Sequence, residues 1–282
     1  MKKKAIKFTS SLICFILTLC LFLTFVFVSI GFNFRSKSLN KYISSSGYSN
    51  GISEKILDKL YNLADTNNLP HEIFDNFVNA DLMASDIYDY MVSISSQDST
   101  NSGYIKNINN KKQELTKKVK DYVISNIKLS DRQLTEIDKN IETFVDECIL
   151  IYKNNIKSNI LETAFKYIKF IDKYFVVILL ILIFIDIIII LVLINSQSWK
   201  HRGYRYSLYS LISCELMLTN LISYISLSNI INRLNILSKE LNSLVVEILN
   251  NCLFNLYISE IILFVLIGFN IYFYKKEKKK VL

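Results

Sequence analysis

Charged side chains all but vanish from this chain in four stretches of roughly twenty residues each, at 12–34, 174–194, 207–227 and 256–274. A helix rises about 1.5 Å per residue, so each stretch is long enough to cross about 30 Å of hydrocarbon. Stretch 12–34 carries no charge at all. The MKKK before it resembles the basic start of a secretory signal peptide, but the apolar run is longer than a signal core and FVSIGFNF offers no small-x-small cleavage site. It reads as an uncleaved signal anchor. Stretch 174–194 is almost pure Ile, Leu, Val and Phe, broken only by Asp186. Stretch 207–227 is weaker, with several serines, Glu215 and Asn220. The last ends in Tyr272, Phe273 and Tyr274 just before lysines, a common anchor at a lipid–water boundary.

Between the first two stretches, residues 35–173 change character. One proline (Pro70), three glycines (Gly47, Gly51, Gly103) and little alternation make this region helical. Ser53 precedes a helix to about Ala64, with Ile56, Leu57, Leu60, Tyr61 and Ala64 on one face. Pro70 suits the first turn of a short second helix, continued by 82–94. SSQDSTNSG at 95–103 is the best loop, and a basic, soluble helix follows over about 104–127. Ser130 and Gln133 form a capping box ahead of a seam of Leu134, Ile137, Ile141, Phe144, Cys148 and Ile151. The seam predicts the core of a small bundle, with a homodimeric coiled coil as the alternative. No helix breaker separates it from Tyr174, so one long helix is expected to run on into the second stretch.

A second seam (Leu234, Leu237, Leu241, Leu244, Ile248) falls within 228–255. A straight helix there would rise roughly 34 Å and leave few residues for the return. An amphipathic helix lying on the membrane surface is therefore expected, ahead of one that folds back midway or packs under the exported domain. The fold class that results is all-α: an integral membrane protein of four transmembrane helices, with an extracytoplasmic helical bundle between helices 1 and 2.

Charge then orients the chain. Its net +8 sits beside one side of the apolar stretches: 1–7 carries +4, 195–206 carries +3 and 275–282 carries +4, whereas 35–173 balances 19 basic against 19 acidic residues. Lys and Arg accumulate in short cytoplasmic loops. Both termini and 195–206 are thus expected inside a plasma membrane, with 35–173 and 228–255 outside. The basic segments read as topology signals touching anionic lipid at the inner face, and no nucleic-acid-binding module is recognisable. In the loop SQSWKHRGYRYS, Trp199, Arg202 and Tyr204 are candidates for contact with a cytoplasmic partner.

Candidate chemistry is sparse. HExxH, CxxC, a Walker glycine loop and GxSxG are all missing from the sequence, and His71 and His201 fall on opposite sides of the membrane. No catalytic residue, metal ligand or cofactor is assigned. Cys14, Cys20 and Cys214 lie in apolar stretches, while Cys148 and Cys252 are too far apart along the helices for a disulfide. The one unusual constellation is acidic. Asp186 lies eight residues before the inner end of its stretch and Glu215 eight residues after the inner start of the next, so both sit roughly 12 Å deep. Two facing carboxylates in a low dielectric cannot both stay charged. The pair could share a proton or hold a cation. It could instead bond across helices to Ser210, Ser213, Asn220 or Asn270 as packing glue, or receive a basic residue of a partner. Glu260, near the outer end of the last stretch, is given no role.

The stretch LSDRQLTEIDKNIETFVDECILIYKNNI and the order of segments resemble a loosely defined group of uncharacterised four-span membrane proteins of low-GC Gram-positive bacteria. The Ile-, Asn- and Lys-rich composition suits an AT-rich genome. That resemblance implies the architecture and no activity. The topology is also similar to that of FtsX-type permeases, which work with an ATPase, although their spans are richer in glycine. The expectation is a non-enzymatic accessory, sensory or partner-binding membrane protein that meets a membrane or envelope protein. The alternative is a transporter or permease subunit, its partner an ATPase, with Asp186 and Glu215 as the proton or cation site.

Overall fold

The computed structural model describes residues 2–95, 105–126, 131–235 and 238–280, with side chains for all of these except 2–8, 80–81, 95 and 131–135. Every regular element among them is helical. In order they are α1 (Lys2–Gly31), α2 (Ser36–Ser45), α3 (Tyr48–Thr66), a 3-10 turn at His71–Phe74, α4 (Ala80–Ser95), α5 (Ile108–Asn126) and α6 (Asp131–Ile156). Then follow α7 (Asn159–Asn195), α8 (Lys200–Ser228), a 3-10 turn at Ile231–Arg233 and α9 (Lys239–Lys279). The expected loop at 96–103, the cap at Ser130 and the seam side chains of Leu134 and Leu237 lie outside what is described.

The chain divides into two compact units. One gathers Met1–Arg35, Phe170–Asn235 and Val245–Leu282, the other Ser36–Lys169 and Ile236–Leu244. In the first, the apolar unit, α1, α7, α8 and α9 are each long and apolar enough to cross a membrane. Val176, Leu180, Phe184 and Leu191 of α7 are all more than half exposed, a bare face that water-soluble proteins rarely leave uncovered. α1 and α8 share the most extensive contact in the apolar unit, with serine, cysteine and leucine side chains along it. Ser210 Oγ donates to the Cys14 carbonyl at 3.0 Å, and Leu17, Leu21, Leu211, Cys214 and Leu218 form one buried core. At the α7–α8 turn only a glycine fits: a Cβ on Gly203 would stand 2.7 Å from the Leu193 carbonyl oxygen and press on Ile194 backbone.

In the second, the polar helical unit, α3 packs on α2, α4 and α6 through Ile52, Ile56, Leu60 and Ala64, all buried. Gly47 joins α2 to α3 at φ +75°, a conformation cheap only without a Cβ. α6 buries Ile141, Phe144, Val145, Cys148, Tyr152 and Ile156, so the seam drifts past Ile151 onto Tyr152.

Two elements differ from expectation. The long helix is interrupted at Lys157 and Ser158. Ser158 caps α7, its Oγ accepting from Leu161 N–H at 3.4 Å and its carbonyl from Glu162 N–H at 2.9 Å, so a serine cap does what no glycine or proline was present to do. Nor does the amphipathic segment form a separate surface helix. Ser238 Oγ accepts from Leu241 N–H at 3.2 Å and starts α9, which continues unbroken to Lys279. Leu241 and Leu244 are buried in the polar helical unit, where a Cβ on Gly51 would come within 2.6 Å of Glu240 Cγ. Packing against the helical unit consumes the apolar face that would otherwise have sought a membrane surface.

Candidate functional site

Asp186 on α7 is 5% exposed. Thr24 Oγ1 of α1 donates to its Oδ2 at 2.8 Å and also lies 2.9 Å from the Cys20 carbonyl. The other oxygen, Oδ1, is buried and has no hydrogen-bond partner among the described residues. Glu215 on α8 is 6% exposed, and neither of its carboxylate oxygens has such a partner. The two acids are thus not hydrogen-bonded to each other, although both act electrostatically on Cys214. On α9, Glu260 Oε1 is likewise buried without a hydrogen-bond partner among the described residues. Three of the four polar side chains offered as glue bond elsewhere: Ser210 to Cys14, Asn220 to its own helix at Leu216, and Asn270 Nδ2 to Ser207 Oγ at 2.9 Å.

The residues considered for partner contact cluster at one end of the apolar unit. Gln197 Nε2 donates to Ser10 Oγ at 2.6 Å. Tyr204 stacks on Phe273 at 5.9 Å, and His201 lies 6.5 Å from Tyr274 and 6.4 Å from Trp199. Arg202 is exposed and Trp199 is 47% exposed. The start of α8 and the end of α9 are therefore locked together, with the α7–α8 loop tied to α1, so that 195–206 and the lysines of 275–280 share one end.

The polar helical unit holds a constellation that periodicity could not reveal. Lys111 on α5, 9% exposed, donates from Nζ to the Phe77 carbonyl at 3.0 Å, lies 3.6 Å from Asp86 Oδ2 and sits 4.8 Å over the Tyr152 ring. Tyr152 Oη donates to Asp86 Oδ2 at 2.5 Å. Burial pushes the Lys111 ammonium below its ordinary range, with Asp86 opposing. Burial first, then the Asp86 charge, pushes the Tyr152 phenol up. Asp86 and Tyr152 are 1% and 0% exposed, so this trio fixes α4, α5 and α6 against one another and meets no substrate. His71 is exposed, bonded to Asp65 at 2.8 Å and stacked on Tyr61 at 4.3 Å. Among the described residues no group of three or more His, Cys, Asp or Glu could hold a metal ion, and the five cysteines are free thiols. A mixed-charge groove of about 470 Å³ lies beside Gly47, Gly51, Lys55, Lys239 and Glu240.

No protein-family model, curated protein or solved structure matches this chain. What the side chains can do must therefore be argued from their chemistry. The acids of the apolar unit can hold or exchange a proton. The basic aromatic end can meet anionic headgroups or a protein. Outside its core, the helical unit presents a solvated surface.

Proposed function

We propose that this chain is a multi-pass plasma-membrane protein with both termini in the cytoplasm, an extracytoplasmic helical bundle, and a non-enzymatic accessory, sensory or partner-binding role. The observation that carries this reading is the gathering of basic segments 195–206 and 275–280 at one end of a unit whose four helices are long and apolar enough to span a bilayer. Short basic segments are retained on the cytoplasmic side. In the helical unit the buried charges are spent on each other, which leaves its exterior as the surface a membrane or envelope partner would use. The test is substituted-cysteine labelling in intact cells. A membrane-impermeant maleimide is expected to reach Lys41→Cys and Lys153→Cys, both exposed positions, and to reach Lys275→Cys only after permeabilisation. The reverse pattern sinks the topology. Photo-crosslinkers at the same helical positions then capture the partner.

The second reading, a transporter or permease subunit, is favoured by one observation: among the described residues, one carboxylate oxygen of buried Asp186 and both of buried Glu215 have no hydrogen-bond partner. It requires Asp186→Asn and Glu215→Gln to abolish function in chains that still fold, whereas the accessory role tolerates both.

A further inference from the structure

We propose that α9 carries a seat for one anionic phospholipid, with an acyl chain in an apolar groove at Gly268 and the phosphate at Lys276 and Lys279. The inference rests on the membrane topology proposed above and adds a ligand to it. The groove, about 500 Å³, is lined by Val265, Gly268, Phe269, Tyr272 and Phe273, within the size range of ligand-bearing clefts. Gly268 forms its floor, where a Cβ would meet nothing within 4 Å. Val265, Phe269 and Tyr272 are more than half exposed, so no described helix of this chain covers the groove. One wall is held in place, because Tyr204 of α8 stacks on Phe273 at 5.9 Å.

Charge selects the occupant. The lining residues recur at i, i+3, i+4, i+7 and i+8, one face of a helix. Because α9 runs unbroken to Lys279, Lys276 and Lys279 continue that same face, about one and two turns beyond Tyr272. Both are exposed. Glu277, the one acid in 275–282, is bound by Lys280, and the segment keeps a net +4. Gly268 lies eight residues from Lys276, roughly 12 Å by helical rise. A ligand that uses both ends must therefore join an anion to a long apolar body. A soluble anion would leave the groove empty, and an apolar partner helix would leave the lysines unanswered. Lysine stems can run along apolar surface while their heads reach the interface, and basic clusters on the cytoplasmic side suit anionic headgroups. The bare face of α7 lacks both features: Val176, Leu180, Phe184 and Leu191 include no glycine, and 195–198 beyond them hold no cation.

The test uses the full chain in lipid vesicles, with membrane insertion first verified by resistance to alkaline carbonate. Trp199, the one tryptophan, is replaced by Phe, and a single reporter is placed at Phe269→Trp or, as control, at Phe184→Trp on α7. Quenching by phosphatidylglycerol with brominated chains is compared with quenching by brominated phosphatidylcholine in mixed vesicles. The groove reporter is expected to prefer phosphatidylglycerol by about fivefold or more, the factor that one lysine near a headgroup supplies. The α7 reporter is expected to show no preference. Lys276→Gln with Lys279→Gln should abolish the preference, and Gly268→Leu should remove most of it with both lysines in place. The lysine variant is confined to exposed side chains, so it decides alone should Gly268→Leu disturb folding. Equal quenching by the two lipids at the groove reporter would overturn the inference. The same preference at both reporters, or one untouched by a folded Gly268→Leu chain, would overturn it in favour of diffuse attraction to the basic tail. A groove reporter that neither lipid quenches would overturn it in favour of a protein covering α9. Release by carbonate would sink the membrane reading itself and the inference with it.

Discussion

The two units bury carboxylates in opposite ways. In the polar helical unit Asp86 is inaccessible, and its Oδ2 is answered twice, by the Tyr152 hydroxyl at 2.5 Å and the Lys111 ammonium at 3.6 Å. In the apolar unit Glu215 is nearly as buried and has no hydrogen-bond partner among the described residues. A unit that folds in water has competing unfolded states in which the same carboxylate is hydrated, so an unanswered acid would cost several kcal/mol. An acid among apolar helices in a bilayer has no hydrated alternative nearby, and it can lower its cost by taking a proton. On the membrane reading proposed above, Asp86 is thus a structural charge and Glu215 an adjustable one.

The sharpest way to break this contrast is Asp86→Ala. It strands the buried Lys111 ammonium, and removing one member of a buried pair costs about 3–5 kcal/mol. Amide hydrogen exchange should show protection collapsing through α4, α5 and α6. Replacing both partners, Asp86→Leu with Lys111→Met, should recover most of the loss. A single variant as well protected as the mild core control Ile56→Val would mean that Asp86 is not held as a charge.

Alkaline pH acts on the same unit. Burial, reinforced by the Glu240 charge, pushes the Tyr48 phenol up to about 12. A raised folded-state value means that the folded chain keeps a proton the unfolded chain has released. Its contribution is complete below about pH 10, the ordinary tyrosine value, and is lost as pH rises through about 12, amounting to about 2–3 kcal/mol at most. Tyr90, raised by burial and by its 2.7 Å bond to Glu162, and Tyr152 act in the same direction. Lys111 opposes them: its lowered value makes stability rise with pH below the ordinary lysine range. Above that range only the tyrosines remain, so phenolate absorbance and loss of exchange protection in α3 should rise together. Phenolate formation with α3 still protected would show the tyrosines to be solvated.

Much of this frame was legible in the residues. Apolar runs marked α1, α7, α8 and α9, and the spacing of Ile56, Leu60 and Ala64 marked the face α3 buries. Other features depend on partners distant in sequence. Lys111 reads as one more lysine on a basic helix until α4 and α6 bring it Asp86 and Tyr152. The break at Ser158 carries no glycine or proline and depends on a side-chain cap. The segment 239–244 has the stripe of a surface helix, yet the α3 groove at Gly51 provides the alternative that wins.

Within the apolar unit, packing should respond to backbone approach. Gly203→Ala drives a Cβ into Leu193 and Ile194 backbone, which cannot give way as a side chain tip can, at a cost of about 1–3 kcal/mol. Gly268→Ala meets nothing within 4 Å and should be close to neutral. Thermal aggregation of the full chain in detergent would rank them, and equal midpoints would show that α7 and α8 do not turn so tightly at Gly203.

The smallest effect is expected from Thr24→Val, which removes the only hydrogen-bond donor to Asp186 found among the described residues. A hydrogen bond between membrane helices contributes about 0.6 kcal/mol on average, far below the effect of removing a member of a buried ion pair. The reason lies in the surroundings: on the membrane reading proposed above, a carboxyl between spanning helices that loses a donor can take a proton, whereas removing Asp86 strands the buried Lys111 ammonium. Steric-trap or thermal measurements should therefore place Thr24→Val within about 1 kcal/mol of wild type. A loss comparable to that of Asp86→Ala would mean that Asp186 is a charge as dependent on its partner as Asp86 is. The contrast between structural and adjustable acids would then hold only for Glu215.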